Sequence, residues 1–299
     1  QLRRDPERTL APMTTRLRTW ILLAGLSGLL VAVGALVGGP GGLVFFLILA
    51  VGMNLAMYWF SDTMALRMSR ARPLEEGELP TVRQDVQELC ERAGLPQPRL
   101  YLIPSEQPNA FATGRNPRRA AVAVTEGLVR SLPREEVRGV LAHELAHVKN
   151  RDILVASIAA MIGAAIAAVA HFLQFSWLFG GDDDDSPLGI VGTIAAIVLA
   201  PLAAMVLQLA VSRQREYLAD ETAAGWLGEG RPLASALASL ERGVQAAPMA
   251  VNPATASLYI ANPLSPRGMA GLFSTHPPIP ARIERLRAVD ARRGIHWVL

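Results

Sequence analysis

Three stretches of this chain, 19–61, 153–181 and 186–212, carry no Asp, Glu, Lys or Arg. A helix needs about 20 apolar residues to cross a hydrocarbon core about 30 Å thick. The first stretch is long enough for two crossings, and "VGGPGGL" (37–43) interrupts it where a turn would sit. The pattern therefore predicts a helical hairpin from Trp20–Val37 and Leu43–Phe60. The later stretches predict one crossing each, Ile153–Phe175 and Leu188–Val211. A cleaved signal peptide explains the first span poorly, because its apolar part is too long and a second span follows at once.

Two polar segments, 61–152 and 212–299, alternate with these spans. In the first, Val82, Val86, Leu89 and Ala93 recur at helical spacing, and Gly94 and Pro96 close the run. "PRLYLIP" (98–104) and "AAVAVT" (120–125) are short, turn-bounded and rich in β-branched or aromatic residues, so they read as strands. "NAFATG" (109–114) between them is a candidate third. "SLPREEVRGVLAHELAHVKN" (131–150) reads as one helix, with Ser131 in the N-cap region and Pro133 in the first turn. Glu135 and Glu136 then suit the positive end of its dipole. In the second segment, "SRQREYLADETAAGWLG" continues from the fourth span as a helix, and "RPLASALASLERGVQ" and "PARIERLRAVDARR" predict two more. Residues 248–280 are rich in Pro, Asn, Ser and Gly and read as a long loop; within 244–272 the chain reads either as a substrate-gating lid or as a linker. One segment holds the strands and the other only helices, so the two are expected to fold together.

Charge orients the spans. Arg3, Arg4, Arg8, Arg16 and Arg18 precede the first, which puts residues 1–19 on the cytoplasmic side. The hairpin, 20–60, then returns the chain to that side, so 61–152 is cytoplasmic. The second pair of spans, 153–211, encloses an outer loop with Asp182–Asp185 and no basic residue, and 212–299 is cytoplasmic again. Trp20, Tyr58, Trp59 and Trp177 fall at span ends, as an aromatic belt would. Asn54 and Gln208 inside spans predict helix–helix hydrogen bonds, and Pro201 a kink. With 51% hydrophobic residues and a net charge of +3, the basic excess suits an anionic inner leaflet. No nucleic-acid motif and no internal repeat is present, and the sequence sets no oligomeric state. Cys90 is the only cysteine, so internal disulfides are excluded.

The chemistry concentrates in "LAHELAHVKNRD" (141–152). Four residues apart on a helix, His143 and His147 can aim ring nitrogens at one ion, with Glu144 beside them to take a proton from a water there. Two surface histidines would give the same spacing. A catalytic zinc needs a third protein ligand and an open position. The remaining histidines are His171, His276 and His296. The first reads as interfacial, the last has no assigned role, and the second sits in a proline-bounded turn. A carboxylate is therefore the expected third ligand. "SRQREYLADE" offers Glu216, with Asp220 one turn later, where the helix leaving span four meets the helix entering span three.

"AHELAHVKNRD", "SRQREYLAD", "PNAFATG" and "STHPP", in this order, resemble the HtpX family of bacterial membrane zinc metalloproteases, relatives of the CAAX prenyl endopeptidases. The resemblance covers nearly the whole chain. It implies a mainly α membrane protein, with four transmembrane helices and a cytoplasmic α+β zincin-like domain holding a small β-sheet. It also implies an inner-membrane zinc endopeptidase that cleaves misfolded or damaged membrane proteins on the cytoplasmic side. By that resemblance His143, His147 and Glu216 hold Zn2+, Glu144 is the general base, and Asp220 orients a ligand histidine. Asn109 falls where relatives contact the substrate backbone, and His276 with Arg282 matches a pair thought to stabilise the transition state.

Two other classes fit worse. An intramembrane protease would set its motif inside a span, whereas Arg134, Glu135, Glu136, Arg138, Lys149, Arg151 and Asp152 bracket this one, at several kcal/mol per buried charge. A non-enzymatic scaffold with structural zinc would need four closed ligands, and a fourth is hard to find.

Overall fold

The structure, a computed structural model, describes residues 11–162, 213–246, 255–263 and 277–297. Helix α1 (Ala11–Met68) is two helices joined at a kink, where Gly39 adopts φ 56° and ψ −143° and Pro40 follows. Glycine reaches that conformation without a Cβ clash, and a proline can begin the second arm because the first helical turn needs no partner for its N–H. The Asn54 amide donates to Ser27 Oγ at 2.6 Å. In a straight helix those residues would stand about 40 Å apart at 1.5 Å per residue, so the arms lie side by side. Among the described residues one helix, Gly39–Met68, is long and apolar enough to cross a membrane. Phe45, Ile48, Leu55 and Phe60 on it are exposed. Of the predicted third span only Ile153–Ile162 (α5) is described; its remainder, the acidic loop and the fourth span lie outside the described residues.

Four strands follow, β1 (Arg72–Pro73), β2 (Arg99–Ile103), β3 (Ala110–Thr113) and β4 (Ala121–Thr125), in the order β1-β2-β4-β3. β2 and β4 run parallel, and the other pairings are antiparallel. Alternate side chains point to opposite faces of a strand. Ala110, Ala112, Val122 and Val124 therefore join the main core with α4, while Phe111, Ala121 and Ala123 pack with Ala65 and Leu66 at the end of α1 and Ala160 of α5. Burial on both faces explains why "AAVAVT" is continuously apolar rather than alternating. Arg99 meets Asp62 at 2.9 Å, and the Arg115 guanidinium lies 4.2 Å over the Trp59 ring, so polar contacts tie the sheet region to the last turns of α1.

The helix expected over 131–150 begins at Arg134 instead, and a separate short helix ends at Ser131. α3 (Glu126–Ser131) is capped by Thr125 Oγ1, which accepts from Leu128 N–H, and α4 (Arg134–Asn150) starts after Pro133. Proline disfavours helical backbone in the residue before it, and Leu132 is extended at φ −104° and ψ 141°. Ser131 thus ends one helix instead of capping the next.

Around α4 pack α2 (Pro80–Ala93), closed by Gly94 in the left-handed region, and the helices α6 (Arg213–Leu227) and α7 (Arg231–Ala246), on which α8 (Ile279–Arg292) packs in turn. Residues of both polar segments share one core. Gly139 lets α7 approach α4: a Cβ there would sit 2.8 Å from Leu233 N. Arg134 and Arg138 both meet the buried Asp85 of α2, at 2.9 and 2.8 Å.

One described stretch of the long loop, 255–263, is packed in place. Tyr259 stacks edge-on against Phe111 at 5.0 Å, and Ile260 N–H donates to Ala110 O at 3.0 Å. This covers the start of β3, one of the two edge strands.

Candidate active site and metal centre

Helix α4 delivers His143, Glu144 and His147 from its buried face, and α6 delivers Glu216 and Asp220 from its first two turns. Both pairs use helical spacing to present two groups on one face. The rings of His143 and His147 stand perpendicular with centroids 4.7 Å apart, and their Nε2 atoms are 3.1 Å apart. Glu216 Oε2 lies 3.5 Å from His143 Nε2, and its Oε1 lies 3.6 Å from His147 Nε2. Four-coordinate zinc with bonds of about 2.0–2.2 Å places neighbouring donors about 3.3–3.6 Å apart. Each ring nitrogen thus has one Glu216 oxygen about as far away as neighbouring ligands on zinc would be, and two imidazoles with a carboxylate are a donor set that suits that metal. His143, His147 and Glu216 also form a group whose ligand atoms all lie within 4.8 Å of one another.

The second nitrogens of both rings face carboxylates. His143 Nδ1 is 2.9 Å from Asp220 Oδ1, and His147 Nδ1 is 3.3 Å from Asp152 Oδ2. A carboxylate at Nδ1 keeps the proton there and turns the Nε2 lone pair to a metal. The sequence reading placed Asp152, with Lys149 and Arg151, among the charges that bracket the motif. The structure instead buries Asp152 against His147, and Lys149 Nζ donates to Ala93 O at 2.6 Å at the end of α2.

Arg282, in the first turn of α8, is fully buried and forks onto Asp220, with Nε to Oδ2 at 2.9 Å and Nη2 to Oδ1 at 2.7 Å. Its Nη1 donates to Ile260 O at 3.2 Å. Burial pushes Asp220 up, but the Arg282 charge and the hydrogen bonds from His143 and Arg282 outweigh it and hold the carboxyl below its usual range. Burial and Arg282 pull His143 down, yet the Asp220 and Glu216 carboxylates win and push it up to about 9. Glu144 is buried, with the backbone of Ala112 on β3 hydrogen-bonded to its carboxylate. Burial is the main reason its carboxyl is raised, against the two histidines.

Asn109 is also fully buried. Its amide nitrogen donates to Ala261 O at 2.8 Å, and its Oδ1 accepts from Ala110 N–H at 3.1 Å and Ala261 N–H at 3.3 Å. In this arrangement it clamps 255–263 to the start of β3. The sequence carried no signal for that pairing between positions so far apart. His276 lies outside the described residues.

Peptidase family M48 matches residues 76–290. The chain is 51% identical over 276 residues to a protein described as "Protease HtpX homolog" from Pelotomaculum thermopropionicum, covering 91% of this chain and 98% of that protein. A homolog of the same description from Syntrophobacter fumaroxidans is 52% identical over 282 residues, 93% of this chain and 100% of the relative. One from Pyrococcus furiosus is 49% identical over 280 residues, 93% and 97% of the two chains. The crystal structure of S. mikatae Ste24p aligns over 90% of this chain and 67% of its own, with a TM-score of 0.47 and 23% identity. The family match spans α4 and α6 and the cluster of His143, His147 and Glu216 that they bring together. The chain therefore belongs to peptidase family M48, as a metalloendopeptidase of the HtpX type.

Proposed function

We propose that this protein is an integral membrane zinc endopeptidase that hydrolyses peptide bonds of misfolded or damaged membrane proteins at the cytoplasmic face of a bacterial inner membrane. The observation that carries the reading is the convergence of His143, His147 and Glu216 beside the buried Glu144. His143, His147 and Glu216 would hold the zinc, which when bound supplies a Lewis acid and acidifies water. Glu144 takes the proton of the attacking water on its carboxylate and passes it to the leaving amine. A carboxyl raised by burial suits that task, since a stronger base accepts the proton more readily at neutral pH. Asp220 holds the His143 ring, and Arg282 keeps Asp220 ionised and in place.

The membrane part of the reading rests on the exposed apolar surface of Gly39–Met68 and on the arginines flanking the charge-free stretches. Four crossings would put 61–152 and 212–299 on one side, where they pack together. Substrate loops would then be met as they leave the bilayer.

Glu144→Gln tests the chemistry. It preserves both imidazoles, so zinc should stay bound while cleavage of unfolded casein falls to background. Cleavage at the wild-type rate by this variant would refute the proposed base. For the topology, Ser186→Cys should react with an impermeant thiol reagent from outside the cell, and the exposed position in Glu91→Cys only after the membrane is opened. Native Cys90 is a quiet background for this, because burial pushes its thiol up to about 11. Outside labelling of Glu91→Cys would invert the orientation and remove the cytoplasmic role.

A further inference from the structure

We infer that Asp152 is a positioning residue for the metal-binding set, holding His147 on one side and the start of the Glu216 helix on the other. The inference rests on the zinc reading above and adds to it a second, separate support.

The contact exists because of a backbone reversal. Arg151 ends α4 in the left-handed region at φ 62°, and Asp152 N–H donates back to His147 O at 3.0 Å. That turn carries the Asp152 side chain under the last turn of α4, where Oδ2 lies 3.3 Å from His147 Nδ1. Its other oxygen lies 3.7 Å from Arg215 Nη1. Arg215 directly precedes Glu216, so one carboxylate bridges the end of the two-histidine helix and the beginning of the helix that brings the third ligand.

A purely structural role would look different. Asp152 directly precedes α5, the position at which an aspartate ordinarily accepts hydrogen bonds from the first N–H groups of its own helix. Its carboxylate turns away from that task toward an imidazole and a guanidinium. The site also has a specific need for it. The His143 side chain is 1% exposed and enclosed by Asp220 and Arg282, whereas that of His147 is 15% exposed. A less enclosed ring has more freedom to swing, and an anchored Nδ1 removes that freedom while fixing the tautomer that leaves Nε2 as the donor. The two ligand histidines thus have one carboxylate each, Asp220 from α6 and Asp152 from the turn after α4. Only the first belongs to a motif helix.

The test compares apparent zinc affinity, by competition with a chromophoric chelator, in the full-length protein and in His147→Ala, Asp152→Ala and Asp152→Asn. Loss of a partner that orients a ligand weakens metal affinity by about 10–100-fold, which is the expectation for Asp152→Ala. Asp152→Asn keeps an acceptor oxygen for Nδ1–H and should recover part of that loss. Thermal unfolding with excess chelator separates this from a general loss of stability. Asp152→Ala should lower the melting temperature far more in zinc than in chelator. Zinc affinity equal to wild type in Asp152→Ala, with zinc lost in His147→Ala, overturns the inference and leaves the metal site standing. Equal losses of melting temperature in zinc and in chelator, with unchanged affinity, also overturn it. Full zinc occupancy in His147→Ala would overturn the metal site itself and the inference with it.

Discussion

Helix α4 and the second arm of α1 are both rich in apolar residues, yet they face opposite surroundings. Nearly every residue of α4 from Val137 to Val148 is buried by strands and helices, and its glycine, Gly139, is pressed against the α7 backbone. Along the α1 arm Phe45, Ile48 and Phe60 are exposed, and a Cβ at Gly52 would meet nothing within 4 Å. Apolar character therefore reports exclusion from water without saying what does the excluding. Charge tells the two apart. α4 is bracketed by Arg134, Glu135, Glu136, Arg138 and Lys149, which find partners or water, whereas the arm carries no charge before Asp62. A helix closed in by protein can also hold polar groups that act, because neighbouring elements supply their partners. His143, Glu144 and His147 are proposed to be of that kind.

The largest expected effect comes from removing such a partner. Arg282→Ala leaves Asp220 buried beside His143 without its forked cation, and breaking a buried pair on one side costs about 3–5 kcal/mol. Denaturant unfolding should show that loss, and Arg282→Lys should not restore it, since a point charge cannot fork onto both oxygens. Wild-type stability in Arg282→Ala would mean that α4 does not depend on its protein surroundings in this way.

On the other helix the solvent itself is tested. Ile48→Lys puts a charge on an exposed position of the α1 arm, which would be harmless if the arm faced water. If it faces lipid, insertion should become less favourable by about 2.5–3.5 kcal/mol, read as the fraction of chains integrated in a membrane-insertion assay. Unchanged integration would remove the lipid-facing half of the comparison.

The smallest and sharpest contrast uses the two glycines. Gly139→Ala forces α7 away from α4, an overpacking cost of about 1–3 kcal/mol. Gly52→Ala meets open space and should be neutral or gain up to about 1 kcal/mol from helix propensity. Equal effects on thermal stability would contradict the packing difference.

Local patterns made much of this readable from the amino-acid order. The "VGGPGGL" break, the helix closed by Gly94 and the strands at 99–103 and 121–125 each follow from short-range backbone chemistry. Spacing on one helix and then on another brought forward His143, His147, Glu216 and Asp220, because i and i+4 carry a spatial meaning that survives folding. Asp152 was hidden for the opposite reason. Its placement depends on a left-handed turn at Arg151, an arginine with no special preference for that conformation. The break at Leu132 follows from Pro133, but a proline near a helix start reads equally well as a first-turn residue. The clamp of Asn109 on Ala261 joins positions far apart along the chain, and no periodicity reports such a pairing.

Anomalous scattering at the zinc edge, on crystals of the purified protein, tests the central claim most directly. The account predicts one peak per chain, about 2.0–2.2 Å from His143 Nε2, His147 Nε2 and a Glu216 carboxylate oxygen, and its loss in Glu216→Ala. A zinc peak held elsewhere, or one that survives intact in Glu216→Ala, would contradict it.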